Sequence, residues 1–326
     1  MLSRVAEHFF WMGRYLERTE NTARLVNVNT HLLLDLPKGV SLGWWPLIEI
    51  TGSQKIFKEQ YAEPSEKLVV KFLVADTKNT GSLSSSLFSA RENARAVRDI
   101  IPSEAWEAIN ELFDYVKDSL PSAIYRKNRF IFLHEVISRN QQICGLLSGT
   151  MIHNTGYDFL RLGHALERAD MTTRNVDVRS GSLLTSVSED LAPFEQFQWL
   201  SILQSMSAYQ AYRQEVHGTI RRVSVLRFLM QNKRFPRSFA YSIVEAKNCL
   251  QDLPHNSMAM AKVSALLDKV DSLELEKLPQ SSLYLTLDEL QVELGELSQI
   301  ITDAYFSLER SRKPVKVTQA QTQSAA

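Results

Sequence analysis

The sequence has few of the residues that divide a chain into many short strands. Its 326 residues include only 12 glycines and 10 prolines, too few for the turns of an all-β fold. Hydrophobic residues make up 44% and charged residues 23% of the chain, which is ordinary for a globular protein. We therefore predict an all-α fold, with either one large core or two smaller ones.

Cysteine is scarcer still, and its positions argue against the common thiol sites. Cys144 and Cys249 lie in apolar surroundings without the short paired spacing of a zinc site or redox motif, and we expect both to be buried thiols. The sequence also lacks a glycine-rich phosphate loop, a His-Glu-x-x-His motif and a nucleophile elbow. It therefore predicts no metal site and no cofactor.

Neither sign of charge is in excess. Lys and Arg together number 37, as do Asp and Glu, whereas binding to nucleic acid or an acidic membrane needs a strong positive field. No run approaches the ~18 apolar residues of a membrane-spanning helix. The first segment carries Arg4, Glu7 and Arg14 where a secretory signal would be apolar. We expect a cytoplasmic protein that binds neither nucleic acid nor membrane.

Apolar residues recur at helical spacing along most of the chain. Thr286 followed by Glu289 has the spacing of a capping box and predicts the start of the last helix. Residues 312–326 lack apolar periodicity and are predicted to be a disordered tail. The predicted helices are 3–34, 44–60, 65–75, 83–99, 103–118, 128–149, 155–178, 190–229, 237–252, 256–271 and 285–311.

The strongest internal signal is a repeat. The segment GRYLERTENTARLVNV at 13–28 and the segment GHALERADMTTRNVDV at 163–178 are identical at eight of sixteen positions. A weaker match follows in the same order, because VVKFL at 69–73 resembles VLRFL at 225–229. We predict two duplicated helical units, 1–150 and 151–311, which pack as one domain about a pseudo-twofold axis.

Helix geometry places the polar residues of each copy on one face, within a stripe about 60° wide. Arg18 is predicted to point away from this face. A glycine on such a face lets two helix backbones approach closely, so we predict two facing helices with carboxylates between them. The face carries Gly13, Glu17, Glu20 and Arg24 in the first copy, and Gly163, Glu167, Asp170 and Arg174 in the second.

Three interpretations of this face stay open. In the first, Glu20 pairs with Arg24 and Asp170 with Arg174 in an ion-pair network that fixes the packing. In the second, the acids act as catalytic groups or converge on a divalent cation. In the third, the face forms a pocket for a peptide or amino-acid-like ligand, with arginines for its carboxylate and acids for its amine. The candidate catalytic residues are Glu17, Glu20, Glu167 and Asp170, and the candidate ligand-binding residues are Arg24 and Arg174.

A second polar cluster adds further candidates for ligand binding. Arg91, Arg95 and Arg98 recur at helical spacing and form a basic stripe. The stripe meets Glu17 and Glu20, lies in solvent, or binds an anion. In the segment KRFPRS, Pro236 is predicted to lie in the first turn of a helix, and a phosphate contact is a further interpretation of Arg237.

Three long segments carry a resemblance to a known family: MLSRVAEHFFWMGRYLERTENTARLVNV, SARENARAVRDIIPSEAWEAINELF and FLRLGHALERADMTTRNVDV. Together they resemble the bacterial alpha-E domain family, from Met1 to about Arg310. The chain departs from the family pattern at 8–10, where Asn-Leu-Tyr-like residues are expected. The family name marks a helical domain with characteristic glutamates, which here would be Glu7, Glu17, Glu20 and Glu167.

The resemblance implies a functional setting. Members of the family are encoded beside a circularly permuted ATP-grasp protein and a transglutaminase-like protein, which implies a role in peptide synthesis or modification. We expect a non-catalytic helical partner or substrate-binding component, with those two proteins of the same operon, and a peptide-like substrate, as its partners. The alternative is an enzyme that acts on amide or amino-acid-like substrates through the carboxylate cluster.

Overall fold

In a computed structural model, the described part of the chain comprises residues 3–35, 43–182 and 192–307, and it contains helices without any strand. The predicted all-α class is confirmed. None of the described helices is both long and apolar enough to cross a membrane. The helices are α1 (Ser3–Asp35), α2 (Trp45–Ile50), α3 (Gln54–Gln60), α4 (Glu66–Val74), α5 (Leu83–Ala96), α6 (Ser103–Ala123), α7 (Arg126–Thr150), α8 (Thr155–Ser182), α9 (Ala192–Ser205), α10 (Tyr209–Glu215), α11 (Arg222–Gln231), α12 (Phe239–Gln251), α13 (Ser257–Asp271) and α14 (Gln280–Tyr305).

Two predicted helices are divided by tight turns. The predicted helix 44–60 is interrupted at Gly52, whose φ of +64° ends α2, and the predicted helix 190–229 is interrupted after α9 at Ser207, whose φ is +51°. A left-handed residue cannot continue a right-handed helix. The apolar periodicity on both sides of each turn hid the interruption.

The predicted capping box of the last helix is wrong. Helix α14 begins at Gln280, because Leu283 extends the buried apolar stripe upstream of the predicted start. Within the helix, the hydroxyl of Thr286 donates to the carbonyl of Ser282, 2.9 Å away, and Glu289 pairs with Lys269. Residues 308–326, which include the predicted tail, lie outside the described residues.

Helices α1 and α8 form the centre of the molecule. Helix α1 contacts α5, α7, α8 and α9, while α8 contacts α1, α2, α12 and α14. Buried apolar side chains, among them Phe9, Leu16 and Leu166, cover both central helices. All the other helices that meet α1 or α8 are therefore oriented by this central pair.

The helices before and after residue 150 have matching packing partners. Helix α5 lies on α1 as α12 lies on α8, α7 lies on α1 as α14 lies on α8, and α6 bridges α5 and α7 as α13 bridges α12 and α14. Ser82 caps α5 by accepting a hydrogen bond from Ser85 N, and Ser238 caps α12 in the same way from Tyr241 N. Duplication of units 1–150 and 151–311 would produce this correspondence, and it stays a prediction.

Glycine brings the two central backbones together. A Cβ atom on Gly13 would lie 2.2 Å from the carbonyl oxygen of Leu160, and one on Gly163 would lie 2.1 Å from the carbonyl oxygen of Phe10. No side chain fits in either place, because the obstacle is backbone rather than a movable side chain. The predicted facing of these two helices on their glycines is confirmed.

We expect Gly13→Ala to destabilise the protein, because the new methyl group overlaps the Leu160 carbonyl. The free energy of unfolding should fall by about 1–3 kcal/mol or more, the usual cost of overpacking a tight interior. Chemical denaturation followed by circular dichroism measures it.

The matched control is Gly295→Ala in α14, where an added Cβ meets no atom within 4 Å. That change should raise the free energy of unfolding by up to about 1 kcal/mol through helix propensity alone. Equal stability of the two variants would contradict the close approach of α1 and α8.

Candidate functional site

The acids of the repeat lie at the contact between α1 and α8. Glu17, Glu20 and Glu167 are buried, whereas the side chain of Asp170 keeps 21% of its surface exposed. A buried carboxylate is costly unless charged or hydrogen-bonding groups surround it. The partners of each acid therefore decide what the acid can do.

Glu167 is held by two arginines of α1. Its Oε2 accepts from Arg14 Nε at 2.8 Å and from Arg18 NH2 at 2.9 Å, while its Oε1 accepts from Arg18 Nε at 2.5 Å. The prediction that Arg18 points away from the contact is wrong. The long arginine side chain reaches around its own helix, where its guanidinium also lies 5.6 Å from the ring of Tyr15.

Glu17 has the reciprocal arrangement. Its Oε2 accepts from Arg168 Nε of α8 at 2.8 Å, and its Oε1 accepts from Arg237 NH1 at 2.8 Å. Nδ1 of His164 lies 3.4 Å from the same carboxylate. Arg18 of α1 thus pairs with Glu167 of α8, and Arg168 of α8 pairs with Glu17 of α1. We call these four residues, with Arg14 and Arg237, the Glu-Arg exchange.

Glu20 and Asp170 pair with the arginine four residues further on. Arg24 Nε donates to Glu20 at 2.8 Å, and Arg174 Nε donates to Asp170 at 2.9 Å. The ion pairs of the first interpretation are confirmed. Glu20 also accepts from Arg237 NH2 at 2.6 Å and from Asn140 Nδ2 at 3.0 Å, so it belongs to the same buried network.

Sequence reasoning considered Arg237 only for a phosphate contact and missed its pairing with the buried acids. It immediately precedes α12, where Ser238 is the N-cap, so Pro236 lies before the helix and its predicted place in the first turn is wrong. The backbone turn aims Arg237 at both Glu17 and Glu20. The repeat offered no signal, because Gly81 occupies the corresponding position in the first unit.

Charge keeps the two central acids ionised. Burial alone would raise the pKa of Glu17, but Arg168 and Arg237 outweigh it and hold this pKa well below its usual value. Burial likewise opposes ionisation of Glu167, yet Arg18 and Arg14 lower its pKa to about 2. Because their oxygens are occupied by arginines, neither acid is poised to exchange a proton near neutral pH.

The surroundings are also unsuited to a cation. The described residues contain no group of three or more His, Cys, Asp or Glu side chains that could hold a metal ion. The acids nearest one another already face positive guanidinium groups, which repel a divalent ion. The geometry therefore gives no support to the metal form of the second interpretation.

The basic stripe lies elsewhere. Arg91 donates to Asn110 Oδ1 at 2.7 Å and covers the ring of Phe113, while Arg95 pairs with Glu92. Side chains of Arg95 and Arg98 are each 60% exposed. Within the described part of the chain, none of these three arginines contacts Glu17 or Glu20, so the expected contact with those acids is wrong. The expectation that the stripe lies in solvent holds for Arg95 and Arg98.

Two cavities flank the Glu-Arg exchange. One, of about 300 Å³, lies between α7, α8 and α12 and has Arg168 and His164 in its wall. The other, of about 270 Å³, lies between α2, the turn before α5 and α8, and has Arg18 and Asp170 in its wall. The third interpretation, a ligand pocket beside the acids, therefore has space available and stays a prediction.

Both cysteines are protonated thiols. Cys249 is buried, as predicted, but Cys144 is only partly buried because it lines the cavity between α7, α8 and α12. Burial, with the charges of Glu20 and Glu17, raises the pKa of Cys144 to about 12. A thiol with so high a pKa is a poor nucleophile.

Comparison with known proteins identifies a family. The Alpha-E model, described as a predicted alpha-helical domain with a conserved ER motif, matches residues 1–306. In the described residues, the Glu-Arg pairs are Glu17-Arg18 and Glu167-Arg168, the four residues that exchange partners.

Two relatives are uncharacterized proteins of Mycobacterium bovis and Mycobacterium tuberculosis. Each is 24% identical over 312 residues, covering 90% of this chain and 34% of the relative. The chain thus spans about a third of the length of these curated relatives. No solved structure matches the chain.

We expect the protein to lose stability in acid through Glu167. Its pKa is about 2 in the folded protein, against 4.5 for the free group. A lowered pKa stabilises the fold above the unfolded value, and this contribution is lost as the pH falls from about 4.5 towards 2. Urea unfolding at successive pH values measures the slope.

The control for this titration is Glu107→Gln, on the exposed face of α6. It should keep the slope of the parent protein, whereas Glu167→Gln should flatten it. An unchanged slope in Glu167→Gln would show that this carboxylate does not contribute to the acid response.

Proposed function

The chain belongs to the Alpha-E family, and from that premise we propose that it is a non-catalytic helical binding component of a peptide synthesis or modification system. The observation that carries the proposal is the engagement of the candidate acids. Glu17, Glu20 and Glu167 are buried and each is bound by at least two arginines. Such groups hold a structure together and leave no acid free for a reaction.

The alternative is an enzyme that acts on amide or amino-acid-like substrates through Glu17, Glu20, Glu167 and Asp170. General acid or base catalysis needs a group whose pKa lies near the working pH and whose oxygen reaches the substrate. Among these acids, only Asp170 is appreciably exposed, and both its oxygens accept from Arg174. The enzyme hypothesis would require the substrate to displace an arginine.

The partners in the proposal come from the family resemblance. They are the ATP-grasp protein and the transglutaminase-like protein of the same operon, with a peptide-like substrate, all in the cytoplasm. A supporting observation is that the curated relatives are about three times as long as the matched part. A helical domain that forms a third of a longer chain is suited to working beside other domains.

We also propose that the domain consists of two duplicated units, 1–150 and 151–311. The matching packing partners of their helices and the reciprocal ion pairs of the Glu-Arg exchange support this. Under this proposal, neither unit is a separate domain, because each supplies the arginine that neutralises the buried glutamate of the other.

The proposal is tested by recovering the tagged protein from its native host and identifying co-purified proteins by mass spectrometry. We expect the ATP-grasp protein to be recovered, and its ATP consumption to be kept when the tagged chain carries Asp170→Asn. This variant removes the candidate acid with the most exposed side chain, at 21%, so it should cost less stability than the loss of a fully buried charge.

Glu17→Gln is the companion variant. It leaves Arg168 and Arg237 without their buried counter-charge, so the free energy of unfolding should fall by about 3–5 kcal/mol. Loss of ATP consumption in step with unfolding supports a structural role. A variant that stays folded and keeps its partner, yet loses consumption a hundredfold or more, which is the scale of acid–base catalysis, would establish the enzyme alternative.

A further inference from the structure

The cavity between α7, α8 and α12 lies beside the Glu-Arg exchange, and Arg168 belongs to both. Its volume of about 300 Å³ is at the lower end of the range for small-molecule sites. One face of α8 forms the floor, with residues that recur every three or four positions. The lining used below consists of Arg161, Ala165, Leu160, Leu147 and Glu245.

The predicted repeat shows why this cavity exists. The positions of α1 that correspond to Arg161 and Ala165 hold Trp11 and Tyr15, whose rings stack with centroids 5.6 Å apart. On α1 this face is covered by aromatic rings, and the guanidinium of Arg14 lies 5.6 Å from the Trp11 ring. On α8 a methyl group and a guanidinium leave the corresponding face open.

One ion pair of the wall, Arg161–Glu245, has no counterpart in the first unit. Arg161 donates a hydrogen bond to Glu245 of α12. At the positions corresponding to these two residues, the first unit has the uncharged residues Trp11 and Ser89. The first unit packs the corresponding helices without such an ion pair. A packing requirement common to both units therefore does not explain the Arg161–Glu245 pair.

The pair is accessible from the cavity. The side chain of Arg161 is 34% exposed and that of Glu245 is 24% exposed, whereas the guanidinium of Arg168, also in the wall, is bound to Glu17. The wall thus presents a positive and a negative group side by side. Leu147, Leu160 and Ala165 add an apolar surface next to them.

We propose that this cavity binds a free α-amino acid. The ligand carboxylate would accept from Arg161, its ammonium group would donate to Glu245, and its side chain would lie on the apolar wall. This inference deepens the proposed function, because it gives the binding component a ligand class. Binding is non-covalent, since the Cys144 thiol in the wall is a poor nucleophile.

The test is ligand-observed NMR and calorimetry on the full chain with the standard L-amino acids. At least one should bind saturably. Its N-acetyl and its carboxamide derivatives should each bind roughly tenfold more weakly or worse, the effect of losing one charge-assisted hydrogen bond. Absence of saturable binding at millimolar concentration, or equal binding of the N-acetyl derivative, would overturn the proposal.

Variants locate the site. Ala165→Tyr places the counterpart side chain of α1 in the cavity and should abolish binding. Arg161→Gln should weaken it at least roughly tenfold, while Arg227→Gln, which breaks an exposed ion pair between α11 and Glu276, should leave it unchanged. If Ala165→Tyr does not fold, Arg161→Gln with an unchanged circular dichroism spectrum decides. Equal loss in Arg161→Gln and Arg227→Gln would contradict the site.

The amino-acid binding experiment and the recovery of the ATP-grasp protein test different proposals, and either can fail without the other. Partner recovery with no amino-acid binding would overturn the ligand proposal and keep the proposed function. Amino-acid binding that depends on Arg161, without partner recovery, would keep the site and overturn the partner role.

Discussion

The reciprocal ion pairs between α1 and α8 are the constraint on which the remaining structure depends. Gly13 and Gly163 let the two backbones touch, and this close approach takes Glu17 and Glu167 out of water. A buried charge without a partner is strongly destabilising, so the glutamate of each helix needs the arginine of the other. The remaining helices pack around this central pair, in which α1 and α8 neutralise each other's charges at Glu17 and Glu167.

Sequence reasoning predicted the parts of this arrangement that depend on one helix. Periodicity gave the helical class, the repeat located the facing helices, and i,i+4 spacing gave the pairs of Glu20 and Asp170. It failed where the partner comes from elsewhere in the fold. The direction of Arg18 was predicted wrongly because a helical stripe gives only the direction in which each Cα–Cβ bond leaves the helix. It does not show how far a long side chain carries its guanidinium group. The pairing of Arg237 with Glu17 and Glu20 was missed because its position depends on the turn before α12, far away in sequence.

The predicted boundaries of two helices were wrong for a related reason. Gly52 and Ser207 both adopt a left-handed conformation, yet neither is followed by a break in apolar periodicity. Each lies against an arginine of the other unit, since Arg24 donates to Ser207 and the guanidinium of Arg174 approaches Gly52. Tertiary contacts therefore accompany turns that local propensity alone does not reveal.

Because a chain is synthesised from its N-terminal side, the partners in these ion pairs become available at different times. Glu17 leaves the ribosome before its partners Arg168 and Arg237, which follow it in the chain by 151 and 220 residues. Until then, the carboxylate of Glu17 lacks both of its arginine partners, and contacts so distant in sequence form slowly. Residues 1–150 therefore cannot complete the ion pairs of Glu17 until residues beyond 150 have been made, and a partly folded chain that exposes apolar surface is prone to aggregate.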